Sequence, residues 1–188
     1  IHPLTYWVVE AALTQLRRWQ VVRPDLTMAV NLSPRNLLDR NCSQRLEEII
    51  RRVGVDPSSV ELELTETAVM TDAETALKVL GRITATGARL AIDDFGTGYS
   101  SLAYLKRFPL HGIKIDRSFV ADLATGEQSR AIVASTVGLA RSLGLEVVAE
   151  DVAGARELAG ELPEQVVRVG LVEGLDALPA GLLGLVGG

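Results

Sequence analysis

Cysteine occurs once in the 188 residues, at Cys42. A single thiol excludes an intrachain disulfide and fits a reducing compartment. No second cysteine or neighbouring histidine stands by to share a metal or a redox couple, so Cys42 reads as an incidental small side chain on a helix. Histidine is almost as scarce: His2 and His111 read as surface or turn residues without a chemical role. Aromatic residues make up 4% of the chain, and Trp7 and Trp19 suit packing better than stacking on a base. A surplus of positive charge is missing as well. Nineteen Lys and Arg face 24 Asp and Glu, for a net charge of −5, which leaves nothing to neutralise phosphates and excludes non-specific DNA binding. No apolar run reaches the ~20 residues of a membrane span, and no signal-peptide pattern is visible. The chain opens at Ile1 with helical patterning already under way by Thr5, so its front is expected to be a cut.

What is present is ordinary for a globular chain: 47% hydrophobic and 23% charged residues, at a length that suits one domain over 1–188. Residues 5–20 carry Trp7, Val8, Ala11, Ala12 and Leu16 at helical spacing, which predicts that face as the buried one. A strand over Leu26–Val30 then ends at Asn31. Ser33-Pro34 opens a helix whose stripe is Leu46, Ile49, Ile50 and Val53, closed by Gly54. Val60-Glu-Leu-Glu63-Leu64 alternates as a strand does, and Thr71-Asp-Ala-Glu74 has the capping-box pattern for the helix of Ala76, Leu77, Leu80 and Ile83. A strand from Arg89 ends in Asp93-Asp94, and Gly112-Ile-Lys114-Ile115-Asp116 is another. A helix over Gln128–Leu143, with Ile132, Thr136, Leu139 and Leu143 in register, precedes a strand over Leu145–Ala149 that delivers Glu150. A weak helix over 153–162 and a strand over 166–169 complete the pattern.

Strands alternating with helices, joined by crossovers too long for hairpins, mean an α/β fold with parallel strands, either a barrel or an open doubly wound sheet. Asn31, Glu63, Asp93, Lys114 and Glu150 lie 21 to 36 positions apart, yet each falls at the carboxyl end of an expected strand. In a barrel such positions converge on one mouth. The densest stretch is Asp93-Asp-Phe-Gly-Thr-Gly98: adjacent acids resist burial unless a cation or hydrogen bonds compensate them, and the glycines let the backbone fold tightly over what the acids hold. Oxygen donors without histidine or thiolate suit Mg2+ or Mn2+ better than zinc. Asp93 could bridge two ions, with Asn31 and Glu63 on one side and Asp94 and Glu150 on the other, an arrangement suited to phosphodiester displacement. Lys114 could hold a phosphate oxygen, orient the attacking water, or form a structural ion pair with one of the acids.

Asn31-Leu-Ser33, Glu63-Leu-Thr-Glu66, Asp93-Asp-Phe-Gly-Thr-Gly-Tyr-Ser-Ser-Leu102, Lys114-Ile-Asp116 and Ala149-Glu150 resemble the successive motifs of EAL domains, the bacterial cyclic-di-GMP phosphodiesterases. The resemblance spans about residues 4–152. It implies a modified TIM barrel, here incomplete and lacking its first strands, dependence on Mg2+ or Mn2+, and hydrolysis of cyclic di-GMP to linear pGpG in the bacterial cytoplasm. It implies that Asn31, Glu63, Asp93 and Asp94 are metal ligands, that Glu150 serves the second ion, and that Lys114 lies near the attacking water. Glu66 resembles the glutamate that holds the loop of Phe95, Gly96, Thr97 and Gly98, a loop tied in the family to metal binding and dimer contacts. It also implies homodimer formation and fusion to sensory or cyclase domains.

Three departures qualify what the resemblance implies. The Glu-Ala-Leu signature, whose glutamate is a metal ligand in the family, is not in the chain; Asp151-Val152-Ala153 stands where the family has Gly-Val-Glu; and Gly170 follows Val169 rather than glutamine. From Val152 onward eight of 37 residues are glycine, and the tail over 153–188 is expected to be divergent or frame-shifted. The alternative reading is therefore a catalytically impaired module that binds cyclic di-GMP or a partner protein. A different TIM-barrel metalloenzyme sharing only the strand-end acids is the third.

Overall fold

The strands run in the order in which the chain makes them. In the computed structural model, β1 (Met28–Asn31), β2 (Val60–Thr65), β3 (Arg89–Phe95), β4 (Gly112–Ile115), β5 (Glu146–Ala149) and β6 (Val167–Val169) form one sheet, each parallel to the next. The structure describes residues 2–97, 102–121, 123, 126–149 and 167–169. An order that never reverses, with right-handed crossovers, puts the covering helices on one side and curls the sheet. This decides between the two architectures the sequence left open: the strands make an incomplete TIM-type barrel, not a doubly wound sheet.

The covering elements are α1 (His2–Trp19), α2 (Pro34–Leu37), α3 (Cys42–Val53), α4 (Glu66–Met70), α5 (Ala73–Thr84), α6 (Leu102–Leu105), α7 (Arg117–Ala121) and α8 (Glu127–Leu143). Among them no helix is long and apolar enough to cross a membrane. Side chains alternate across a strand, so the register sorts the sheet into two faces. Leu62, Leu64, Leu90, Ile92, Ile113 and Ile115 lie on one face, fully buried. Paired or two-residue-spaced positions on the other face are Asn31, Glu61, Glu63, Arg89, Ala91, Asp93, Gly112, Lys114 and Glu146. One face is hydrocarbon; the other is polar with small residues between two charged belts.

The lower belt, at the amino ends of the strands, is structural. Arg89 bridges Glu61 at 3.5 Å and Glu146 at 2.9 Å. Beside it, His111 is more than a turn residue: its Nδ1 accepts from Leu90 N–H at 3.2 Å, and its own backbone extends the ladder to Leu90 and Glu146. Burial and the neighbouring Arg89 hold its imidazole below the ordinary value of 6.5.

Several local expectations change. The buried stripe of α1 is Tyr6, Val9, Leu13 and Leu16, packed on α3 and β1, while Trp7 is 67% exposed and so does not serve as a packing residue. On α8 the buried line is Val133, Thr136, Val137 and Ala140, one position round from the expected one. Both helices carry apolar residues on more than one side, so hydrophobicity alone does not select the stripe. The helix opened by Ser33-Pro34 stops at Leu37 and restarts at Cys42. Asp72, not Thr71, caps α5, accepting from Thr75 N–H at 3.1 Å. Cys42 stands on a helix as expected; it is also buried, and burial pushes its thiol up to about 11, which makes it inert at neutral pH. The expected helix over 153–162 lies outside the described residues.

Candidate functional site at the carboxyl rim

β2 reads Val-Glu-Leu-Glu-Leu-Thr, so alternation sends Leu62 and Leu64 to the helices and Glu63 to the polar face. Asn31 pairs in register with Glu63, and Thr65 with Asp93, so Asn31, Glu63 and Asp93 share that face near the carboxyl ends of adjacent strands. Lys114 arrives from β4, two residues beyond Gly112, which pairs with Ala91. Residues far apart in the chain thus meet on four neighbouring strands.

Lys114 Nζ lies 3.0 Å from Glu63 Oε1 and 3.3 Å from Asp93 Oδ1. Both acids are buried, Glu63 at 4% and Asp93 at 9% exposure. Burial raises the Glu63 carboxyl above its ordinary 4.5, and nearby Asp93 and Glu61 add to this, while the lysine pulls the other way. The lysine is therefore in the structural ion pair that the sequence left as one of its three roles.

The second feature is a bulge. Ile92 pairs with Ile113 and Phe95 with Ile115, so β3 uses one more residue than β4 over the same rise. The extra residue falls at Asp93-Asp94, and Asp94 takes φ +53°, an uncommon conformation outside glycine that aspartate tolerates better than most. Asp94 N–H donates to Asp93 Oδ1 at 3.1 Å, and Thr97 Oγ1 donates to the Asp94 carbonyl at 2.9 Å. A bulge here turns two successive side chains away from simple alternation, so that both acids border the rim. Strained backbone of this kind concentrates at functional sites.

Gly96 follows at φ +103° and donates its N–H to Glu66 Oε2 at 3.1 Å. Glu66, 3% exposed, opens α4, so a buried glutamate on one strand–helix junction holds the turn of the next. Phe95 is buried and Thr97 exposed. Gly98 and Glu150 lie outside the described residues. Two further residues border the turn. Ser118, donating through its hydroxyl and N–H, holds Asp116 below the usual carboxylate range, with the Asp94 side chain close by. Phe119 packs against Gly96. The alternation in Lys114-Ile-Asp116 hinted at Asp116; nothing in the sequence signalled Phe119.

Among the described residues no three His, Cys, Asp or Glu side chains are grouped to hold a metal ion. The donor chemistry nevertheless fits a hard cation: two buried carboxylates already converge on a single positive charge, the Lys114 ammonium, with the amide of Asn31 beside Glu63 in register.

The EAL domain family model matches residues 1–159. The bifunctional diguanylate cyclase/cyclic di-GMP phosphodiesterase MucR of Pseudomonas aeruginosa is 42% identical over 147 residues, 78% of this chain and 22% of its own length. The solved PaMucR phosphodiesterase–c-di-GMP complex superimposes with TM-score 0.84 at 35% identity, over 95% of this chain and 75% of that one. The Klebsiella pneumoniae BlrP1 calcium/cy-diGMP complex gives TM-score 0.71 at 34% identity, over 79% of this chain and 37% of that one. The chain spans about a fifth of the curated relatives it matches (19%, 18% and 24% of three of them). Motif order, strand topology and relatives agree: the chain belongs to the EAL domain family.

Proposed function

We propose that this chain hydrolyses cyclic di-GMP to linear pGpG with Mg2+ or Mn2+ bound at the carboxyl rim. The observation that carries the reading is the convergence of Glu63, Asp93 and Lys114 at one point beside the Asp93–Asp94 bulge. Asn31, Glu63, Asp93 and Asp94 would hold the metal, with Glu150 serving a second ion. When bound, divalent ions lower the pKa of water and stabilise the oxygen leaving a phosphodiester. Lys114, held on Glu63 and Asp93, presents an ammonium to a phosphate oxygen or an attacking water at the same rim. Glu66 keeps Gly96, and through it the acids, in place. The phosphodiesterase named among the relatives and the c-di-GMP complexes among similar structures support this substrate. With the reading go a bacterial cytoplasmic location, homodimer formation, and fusion to sensory or cyclase domains, the last supported by the two activities in the name MucR.

Incubation with cyclic di-GMP and Mn2+, followed by chromatography of the nucleotides, tests the reading. Linear pGpG should form, and Asp93→Asn should lower the rate by at least about 10–100-fold, the loss typical of removing even an outer partner of a metal. Tight cyclic di-GMP binding with no product would leave the impaired binding module as the function.

A further inference from the structure

We propose that Phe119 is a positioning residue for the Asp93–Asp94 bulge, pressing Gly96 onto Glu66 and so tying the acidic rim to α7 and α8. A Cβ built on Gly96 would lie 3.0 Å from Phe119 Cε2 and 3.6 Å from Ile132 Cγ2. The turn after the two acids therefore lies against the Phe119 ring edge and the flank of α8, where a side chain at position 96 would crowd the ring. Its N–H reaches Glu66 Oε2 at 3.1 Å. The turn thus meets two groups at Gly96, an aromatic edge and a buried carboxylate.

The segment that carries the ring is anchored. Phe119 N–H donates to the Asp116 carbonyl at 3.1 Å, and the next residue, Val120, is fully buried. Asp116, on the same segment as Phe119, has the Asp94 side chain close by. α7 packs on α8, so a shift of these helices reaches Asp93 and Asp94 through the seat of Gly96 on Phe119. This deepens the proposed function and rests on it where the cation is concerned; the grip on Gly96 does not depend on it.

Phe119→Leu and Phe119→Met test the idea, since both conserve apolar volume and both are expected to fold. Leucine ends at its δ carbons and cannot reach Gly96, whereas the methionine Cε replaces the lost ring edge. Hydrogen exchange at the Gly96 amide, followed by NMR, should quicken about tenfold or more in Phe119→Leu, and Mn2+ affinity measured by calorimetry should fall about tenfold, the scale of an outer-partner loss. Phe119→Met should recover most of both at a similar melting temperature. Gly96 exchange and Mn2+ affinity that match wild type in Phe119→Leu, or a fall that Phe119→Met shares equally, would overturn the proposal. A wild-type protein that binds no Mn2+ would refute the metal reading, and the exchange comparison alone would then judge the role of Phe119.

Discussion

Replacing Lys114 with methionine keeps the aliphatic stem and deletes the ammonium that bridges Glu63 and Asp93. Lys114 lies 3.0 Å from one carboxylate and 3.3 Å from the other, and the three side chains are only 15%, 6% and 12% exposed. Water cannot readily take over the role of the lost charge. Removing one partner of a buried pair costs about 3–5 kcal/mol because the remaining charge is left uncompensated. At about 2–4 °C per kcal/mol for a chain of this size, the melting temperature in metal-free buffer should drop by about 6–20 °C. The pH dependence gives the sign. Glu63 already titrates above its ordinary 4.5 through burial, and losing the lysine raises it further. A carboxyl with a raised folded-state pKa contributes stability that is fully present below 4.5 and lost as pH rises through the folded value. Lys114→Met should therefore be weakest near neutrality and regain stability on acidification toward pH 5. Glu63→Gln in the same background should relieve part of the loss. Thermal unfolding of the two single variants and the double variant at pH 5 and 7 makes the check. Equal losses from Lys114→Met with and without Glu63→Gln would refute the coupling, and with it the reading of Lys114 as counter-ion.

Glu66→Gln keeps an acceptor for the Gly96 N–H but removes its charge, and should cost about 1 kcal/mol, measurable by denaturant unfolding. Gly144 closes α8 at φ +69° with open space around it, so Gly144→Ala should lose about 1–2 kcal/mol through backbone strain alone. Gly81, inside α5 with equal room, should gain about 0.4–1 kcal/mol as Gly81→Ala in the same measurement. His111 should titrate by NMR below 6.5; a neutral imidazole favoured by folding contributes stability above 6.5 that is lost as pH falls through the folded value, and a midpoint above 6.5 would contradict its buried acceptor role at Leu90.

Much of this molecule was written in local pattern. The alternation of β2 already separated Leu62 and Leu64 from Glu63, and the spacing of strands and helices already required parallel β with crossovers. The run from Asp93 to Leu102 carried the family resemblance. These features were legible because side-chain direction in a strand has period two and cap geometry is settled within one turn. Other properties depend on what packs across from a residue. Whether Val8 or Val9 faces the core of α1 turns on where α3 and β1 lie, and both residues are equally apolar. The choice of a barrel over a doubly wound sheet turns on strand order, which crossover length leaves open. The bulge at Asp93–Asp94 exists only relative to β4, since an extra residue has meaning only against a partner strand. The convergence of Lys114 on Glu63 and Asp93, and the seat of Gly96 on Phe119, are contacts between distant segments. The sequence by itself determined which residue types were on offer and in what order; the tertiary structure decided which of them share one charge, because Coulombic and van der Waals contacts act through space and not along the chain.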